Sequence, residues 1–230
     1  MNSQRIRVTY TKGARLRFTS HLDVLRAWER ALRRAGLPLA YSEGFTPHPR
    51  LAFASPLPLG FTGDAEIVDV TLHTRLPVAE FTARLQAQST EALAVVNAIE
   101  VPLGDPPPQA AMLWADYRVD LPEVKPADAA AAIASFLSQN HCPWTEDRHE
   151  KRRTYDLRAT VAALHAQSRP DGGTRVHMRL RSDQEFSGRP EQVVIALLGE
   201  CATCGYARTG LILAERSPAR EAWRRKGRFE

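Results

Sequence analysis

Arg5-Ile-Arg-Val-Thr-Tyr10, then Lys12-Gly13, then Arg15-Leu-Arg-Phe18, then Ser20-His-Leu-Asp-Val-Leu-Arg-Ala-Trp-Glu-Arg-Ala-Leu-Arg-Arg-Ala35 is the stretch on which the fold reading turns. Ile6, Val8 and Tyr10 alternate with Arg5, Arg7 and Thr9, the period of a strand with one apolar face. Lys12-Gly13 supplies a turn, and Leu16 and Phe18 alternate with Arg15 and Arg17, so residues 5–18 read as a hairpin. Ser20 with Asp23 three positions on approximates a capping box. The helix it opens is stopped by Gly36 and Pro38.

Working outward, strands are expected near residues 39–41, 51–54 and 66–73. A helix over 78–88 follows Pro77, and residues 93–101 return as a strand. Strand, helix, strands, helix, strand is the βαββαβ order of a ferredoxin-like unit. Leu103-Gly-Asp-Pro-Pro-Pro-Gln109 then breaks the chain, because successive prolines fit neither a helix interior nor an inner strand. Beyond it, strands are expected at 114–121, 153–157, 174–181 and 206–213, and helices at 126–138, 161–167 and 190–198. This repeats the first half's element types with one extra helix. The expectation is therefore an α+β protein of two tandem ferredoxin-like subdomains, residues 1–104 and 110–215, with a basic tail at 216–230.

The 230 residues are 43% hydrophobic and 25% charged, which excludes a disordered, collagenous or coiled-coil chain. No run approaches the roughly 18 apolar residues of a membrane span. The N-terminus enters an alternating segment without a secretory hydrophobic region, and three cysteines make no disulfide framework. A cytoplasmic, non-membrane protein is expected. Charge is unevenly spread: +7 over residues 1–60, −9 over 61–150 and +7 over 151–230. The basic ends should draw a polyanion or a phosphate-bearing partner, unless the acidic middle neutralises them in the fold.

Thr174–Arg181 alternates strictly, with Val176, Met178 and Leu180 on one face and Arg175, His177, Arg179 and Arg181 on the other. Same-face residues lie about 7 Å apart at the strand rise of roughly 3.3 Å per residue. That spacing suits successive phosphates, whose neutralisation releases counterions; a solvated face that discourages edge pairing is the plainer alternative. Arg5, Arg7, Arg15 and Arg17 could make a second basic face. On the first helix Arg26, Arg30, Arg33 and Arg34 share one side, although Asp23 can pair with Arg26 and Glu29 with Arg33. In the tail, Trp223 is available for base stacking if residues 220–228 are an RNA-contacting arm; a frayed, positively charged end is the equal alternative.

Tyr41-Ser-Glu-Gly-Phe-Thr-Pro-His-Pro-Arg50 is the least ordinary segment. Pro47 and Pro49 extend the residues before them, so His48 is braced between two rigid positions. Tyr41, Glu43, His48 and Arg50 are the candidate recognition residues, since rigidly presented polar loops commonly hold sites; a structural crossover is the alternative. His21 stands at the helix start, either as a phosphate contact or general base or simply as a capping residue. Cys201-Ala-Thr-Cys204 is a lone CxxC without a further zinc ligand nearby and without the helix-start position of redox motifs. It reads as incidental. No phosphate loop, HExxH or GxSxG motif occurs. No catalytic residue, metal or cofactor is assigned.

The run from Phe18-Thr-Ser-His-Leu-Asp23 to Gly36-Leu-Pro38, continuing through Tyr41-Ser-Glu-Gly-Phe-Thr-Pro-His-Pro-Arg50 to Pro58-Leu-Gly60, resembles the bacterial radical SAM-linked, or radical SAM-associated, family of unknown function. The resemblance is specific over residues 5–72 and looser to about residue 215. It implies a domain fused behind a radical SAM protein or made beside one. With no CxxxCxxC cluster motif, this chain is similar to the stand-alone form. The family supplies no catalytic residues.

The expected function is thus a partner module that presents substrate to a separately encoded radical SAM enzyme, binding RNA or a ribosomal component. Arg17, His21, Arg175, His177 and Arg179 would meet phosphates, and Tyr41, Glu43, His48 and Arg50 would form the recognition loop. Two alternatives stand beside it. One is a metal-independent RNA endonuclease using His21 and His48 as an acid-base pair. The other is a module that binds protein alone.

Overall fold

A computed structural model describes residues 3–148, 151–200 and 203–214. In β1 (Gln4–Lys12) the even positions Ile6, Val8, Tyr10 and Lys12 are buried, as the alternation requires. Ser20 caps α1 (His21–Arg34), its Oγ accepting the Asp23 amide at 3.2 Å. Val24, Trp28, Ala31 and Leu32 turn inward, and the helix ends before Gly36 at φ +62°. β2 (Leu51–Phe53), β3 (Phe61–Leu72), α2 (Val78–Gln86) and β4 (Val95–Val101) complete the first half. The prolines then lead into α3 (Pro108–Ala111), with Pro108 in the first helical turn where its missing N–H costs nothing. The second half runs β5 (Met112–Leu121), α4 (Pro126–Ser138), β6 (Pro143–Arg148), β7 (Lys151–Asp156), β8 (Val161–Ser168), β9 (Thr174–Arg181), α5 (Pro190–Leu198) and β10 (Gly205–Leu213).

The architecture is mixed α+β around one large sheet of eight strands. Its order is β4-β1-β3-β10-β5-β9-β8, with β2 also on β3, and β6–β7 forms a separate hairpin. The neighbours are antiparallel except β3 and β10, which run parallel over Phe61–Gly63 and Tyr206–Arg208. β10 takes the start of β3, and β2 takes Val68 and Val70 further along. Two apolar clusters fill the interior. One gathers Ile6, Val8, Trp28, Leu32, Val68 and Phe81; the other gathers Val119, Leu121, Phe136, Val176, Leu180 and Val193, and recruits Phe61 from the first half.

Three sequence expectations are corrected. Residues 5–18 are not a hairpin: Ala14–Leu16 forms a 3₁₀ turn, and β1 pairs with β3 and β4. Alternation revealed the strand but not its distant partners. Residues 161–167 are strand, not helix; three alanines favour helix locally, but pairing of Ala163 with Arg179 and His165 with His177 overrides them. The residue 39–41 strand reduces to isolated bridges, Leu39 with Leu72 and Tyr41 with Pro49.

Candidate functional site

The β9 stripe faces out, as expected, but it is not bare charge. Asp120 and Asp116 on β5 lie directly across from Arg175 and Arg179. Arg175 donates to Asp120 at 2.6 and 3.2 Å, and Arg179 to Asp116 at 2.7 and 2.9 Å. Arg181 pairs with Asp183 and, at 2.9 Å, with Glu185. In the first half, Arg7 holds Asp69 at 2.7 and 2.9 Å, and the buried Arg5 donates to the Pro102 and Asp105 carbonyls. Carboxylates of the acidic middle segment therefore already pair with Arg175 and Arg179, two of the expected phosphate contacts. His177 stands between Arg118 and His165 on the neighbouring strands and shares a 3.3 Å hydrogen bond with Gln167. Partial burial, then the Arg175 and His165 charges, push its pKa down.

The start of α1 and two loops make a different surface. Arg17 lies 4.9 Å over the Phe18 ring, and its carbonyl accepts the Gly60 amide at 2.7 Å. This sets Phe18, 76% exposed, beside the loop carrying Leu59, 63% exposed. His21 packs edge-on against Phe53 at 5.1 Å. Burial and the Lys12 cation hold its pKa below the usual imidazole value. Lys12 is buried, donates to the Thr19 carbonyl at 3.2 Å, and is itself pushed down by burial.

Residues 41–50 form a closed loop. The Ser42 amide donates to the His48 carbonyl at 2.8 Å, the His48 amide to Ser42 Oγ at 3.0 Å, and the Arg50 amide to the Ala40 carbonyl at 2.8 Å. Glu43 and Phe45 are left at its solvent-facing tip, Phe45 fully exposed. His48 Nδ1 lies 3.5 Å from Glu29 on α1, which is also 3.8 Å from Arg33. Arg50 reaches Glu43 at 3.9 Å, an exposed pair worth little. Glu29 follows exposed Leu22 by seven residues, so both lie on one stripe of α1.

The structure therefore brings Tyr41, Glu43, His48 and Arg50 together, ties them to α1, and places Arg17 and His21 at that helix's start. Arg175, His177 and Arg179 belong to the other half of the sheet. His21 and Glu29, the His48 partner, are about 12 Å apart along α1 at 1.5 Å per residue, so the two imidazoles engage different parts of the helix.

Sequence reasoning missed the buried centre. Glu66 on β3 and Arg208 on β10 pair through two hydrogen bonds, one of 2.8 Å from Nε, and the guanidinium also donates to the Ser55 carbonyl at 2.8 Å. Burial opposes the Arg208 charge, Glu66 more than offsets it, and the pKa rises. Burial pushes the Tyr10 and Tyr117 phenols up. The available signal was an acid in the apolar run Ala65-Glu66-Ile67 and a base after Tyr206-Ala207.

Among the described residues, no three His, Cys, Asp or Glu side chains are grouped to hold a metal. Cys201 of the CxxC and the tail with Trp223 lie outside the described residues. No helix among the described residues is long and apolar enough to cross a membrane.

An α+β protein with a charge-paired open sheet and an exposed aromatic rim at one helix start is the class these features define. The chain belongs to the family described as uncharacterised protein conserved in bacteria (DUF2344), whose model matches residues 5–190. That description makes no link to radical SAM enzymes. No curated protein matches. Among solved structures, a chain of a Cbf5–Nop10–Gar1 complex is similar at 10% identity and TM-score 0.45, covering 90% of this chain and 48% of its own. A chain of an H/ACA ribonucleoprotein bound to a substrate RNA containing 2'-deoxyuridine gives 11%, 0.41, 90% and 47%. A putative glycine cleavage system transcriptional repressor gives 11%, 0.25, 90% and 99%. This chain spans about half the length of the first two.

Proposed function

We propose that this chain is a non-catalytic docking module for a separately encoded radical SAM enzyme, engaging it through the rim formed by the start of α1 and the loops at 41–50 and 55–60. The observation that carries this reading is the exposure of Phe18 and Leu59, set side by side by the Gly60–Arg17 hydrogen bond, with Leu22 exposed in the first turn of α1 and Phe45 at the tip of the loop held to the same helix. Large apolar side chains left in water mark interaction surfaces, and aromatic residues are favoured anchors. The sequence resemblance over residues 18–60 supports the identity of the partner. Strand orders β4-β1-β3-β2 and β10-β5-β9-β8 support reading the halves, 1–104 and 110–215, as two ferredoxin-like units sharing one sheet. RNA docking along β9 is disfavoured by the aspartates that already hold its arginines.

The test is gel filtration and titration of this chain with the radical SAM protein encoded beside it. A complex that weakens about tenfold or more, roughly 1.4 kcal/mol, in Phe18→Ser or Leu59→Ser is expected. No complex, or one indifferent to both substitutions, overturns the proposal. Tight, salt-sensitive binding of structured RNA without the enzyme would favour the RNA reading instead.

A further inference from the structure

α1 contributes to a second concavity, distinct from the docking rim. A groove of about 250 Å³ lies between α1, the 3₁₀ turn and the residues that follow α2. Its floor is apolar, with Leu16, Ala27, Ala31 and Leu93 among its lining. Arg30 and Arg34 stand on its α1 wall, and among the described residues no carboxylate lines it. The two arginines are four residues apart, so they lie one above the other on a single helix face, with about 5–6 Å between Cβ atoms. Among the described residues, Arg34 is held by two 3.3 Å hydrogen bonds to Gln88 and Arg30 has no side-chain partner. Arg26 and Arg33, by contrast, have their acidic partners Asp23 and Glu29.

An apolar trough closed at one wall by two guanidinia selects a ligand with an apolar body and one terminal anion. A carboxylate meets the second demand, because a guanidinium receives its two oxygens with paired N–H donors. At roughly 30 Å³ per water-sized group, the trough takes about eight such groups. We propose that this groove binds a medium-chain carboxylate, its alkyl chain along Leu16, Ala27 and Ala31 and its carboxylate between Arg30 and Arg34.

Calorimetric titration of the full chain with octanoate, octylamine and acetate tests this. Octanoate should bind at least about tenfold more tightly than either control, since neither control meets both demands. Arg30→Gln, an exposed substitution that leaves packing alone, should weaken octanoate by about tenfold or more. Ala27→Phe, which fills the trough, should abolish binding while the far-ultraviolet circular dichroism is unchanged. Equal affinity for octylamine, no octanoate binding at millimolar concentration, or unchanged affinity in Arg30→Gln overturns the proposal. None of these outcomes bears on docking of the radical SAM enzyme.

Discussion

Glu66 and Arg208, 142 residues apart in sequence, form a paired charge at the parallel junction of β3 and β10, with side-chain exposures of 3% and 2%. The pair joins the two halves of the sequence at the middle of the sheet. Ions so completely removed from water are held only because each satisfies the other, and Ser55 takes one further donor.

Removing one partner should therefore be severe. Arg208→Met leaves Glu66 buried and uncompensated, and a loss of about 3–5 kcal/mol in urea unfolding is expected. The double variant Glu66→Leu/Arg208→Met should cost less than the single one. A single-variant loss below about 1 kcal/mol, the range of exposed pairs, would contradict the burial of this pair.

Gly63 guards the same pair by its lack of a side chain. A Cβ there would meet Glu66 Cγ at 2.6 Å and Oε1 at 2.8 Å. Gly63→Ala should destabilise by about 1–3 kcal/mol, as overpacking does. In a Glu66→Ala background the same substitution should be nearly neutral, because the atoms it strikes are gone. Additive losses in this double-mutant cycle would place the strain elsewhere.

Stability should fall on mild acidification. His21 is depressed by burial and by Lys12, and His177 by burial and by Arg175. Each stays neutral in the folded protein where the unfolded chain, with imidazole near 6.5, already takes up a proton. Their contribution is thus complete above about pH 6.5 and lost as pH falls through the lower folded values. Urea midpoints at pH 7.5 and 5.0 should show the decline, and His21→Gln should make it shallower. An unchanged slope in that variant would remove His21 from the account.

Freeing the β9 arginines should create the polyanion affinity that the native pairing suppresses. Asp116→Asn with Asp120→Asn should tighten heparin or oligouridylate binding and steepen its salt dependence by about 0.7 per added phosphate contact. The cost in stability should stay near 0–1 kcal/mol per pair, since both pairs are partly exposed. Equal salt slopes in the variant and the native chain would show that these arginines meet no phosphate.

Local patterns were legible where they recur at short range. Pro126 and Pro190 open helices as read, and the period-two pattern of Thr174–Arg181 gives the strand and its outward face. What the pattern lacked was the cross-strand neighbour: Asp116 and Asp120 alternate on β5 in register with Arg179 and Arg175, but register depends on a pairing 55–63 residues distant. The candidate loop was legible for the same local reason, because Pro47 and Pro49 act on adjacent residues. Its attachment through His48 and Glu29 was not, being a tertiary contact between a loop and a helix. Arg208 was invisible as a core residue because an isolated arginine in a strand is ordinarily a surface group.

The position of β10 has a consequence for synthesis on the ribosome. Until residues 206–208 emerge, the start of β3 at residues 61–63 and the flank of β5 that β10 later covers both await their neighbour. From the emergence of β5 until that of β10 the nascent chain must therefore carry two open hydrogen-bonding edges, and from β3 onward a Glu66 without its Arg208 counterion. Premature termination before β10 would leave those edges free to pair with another chain.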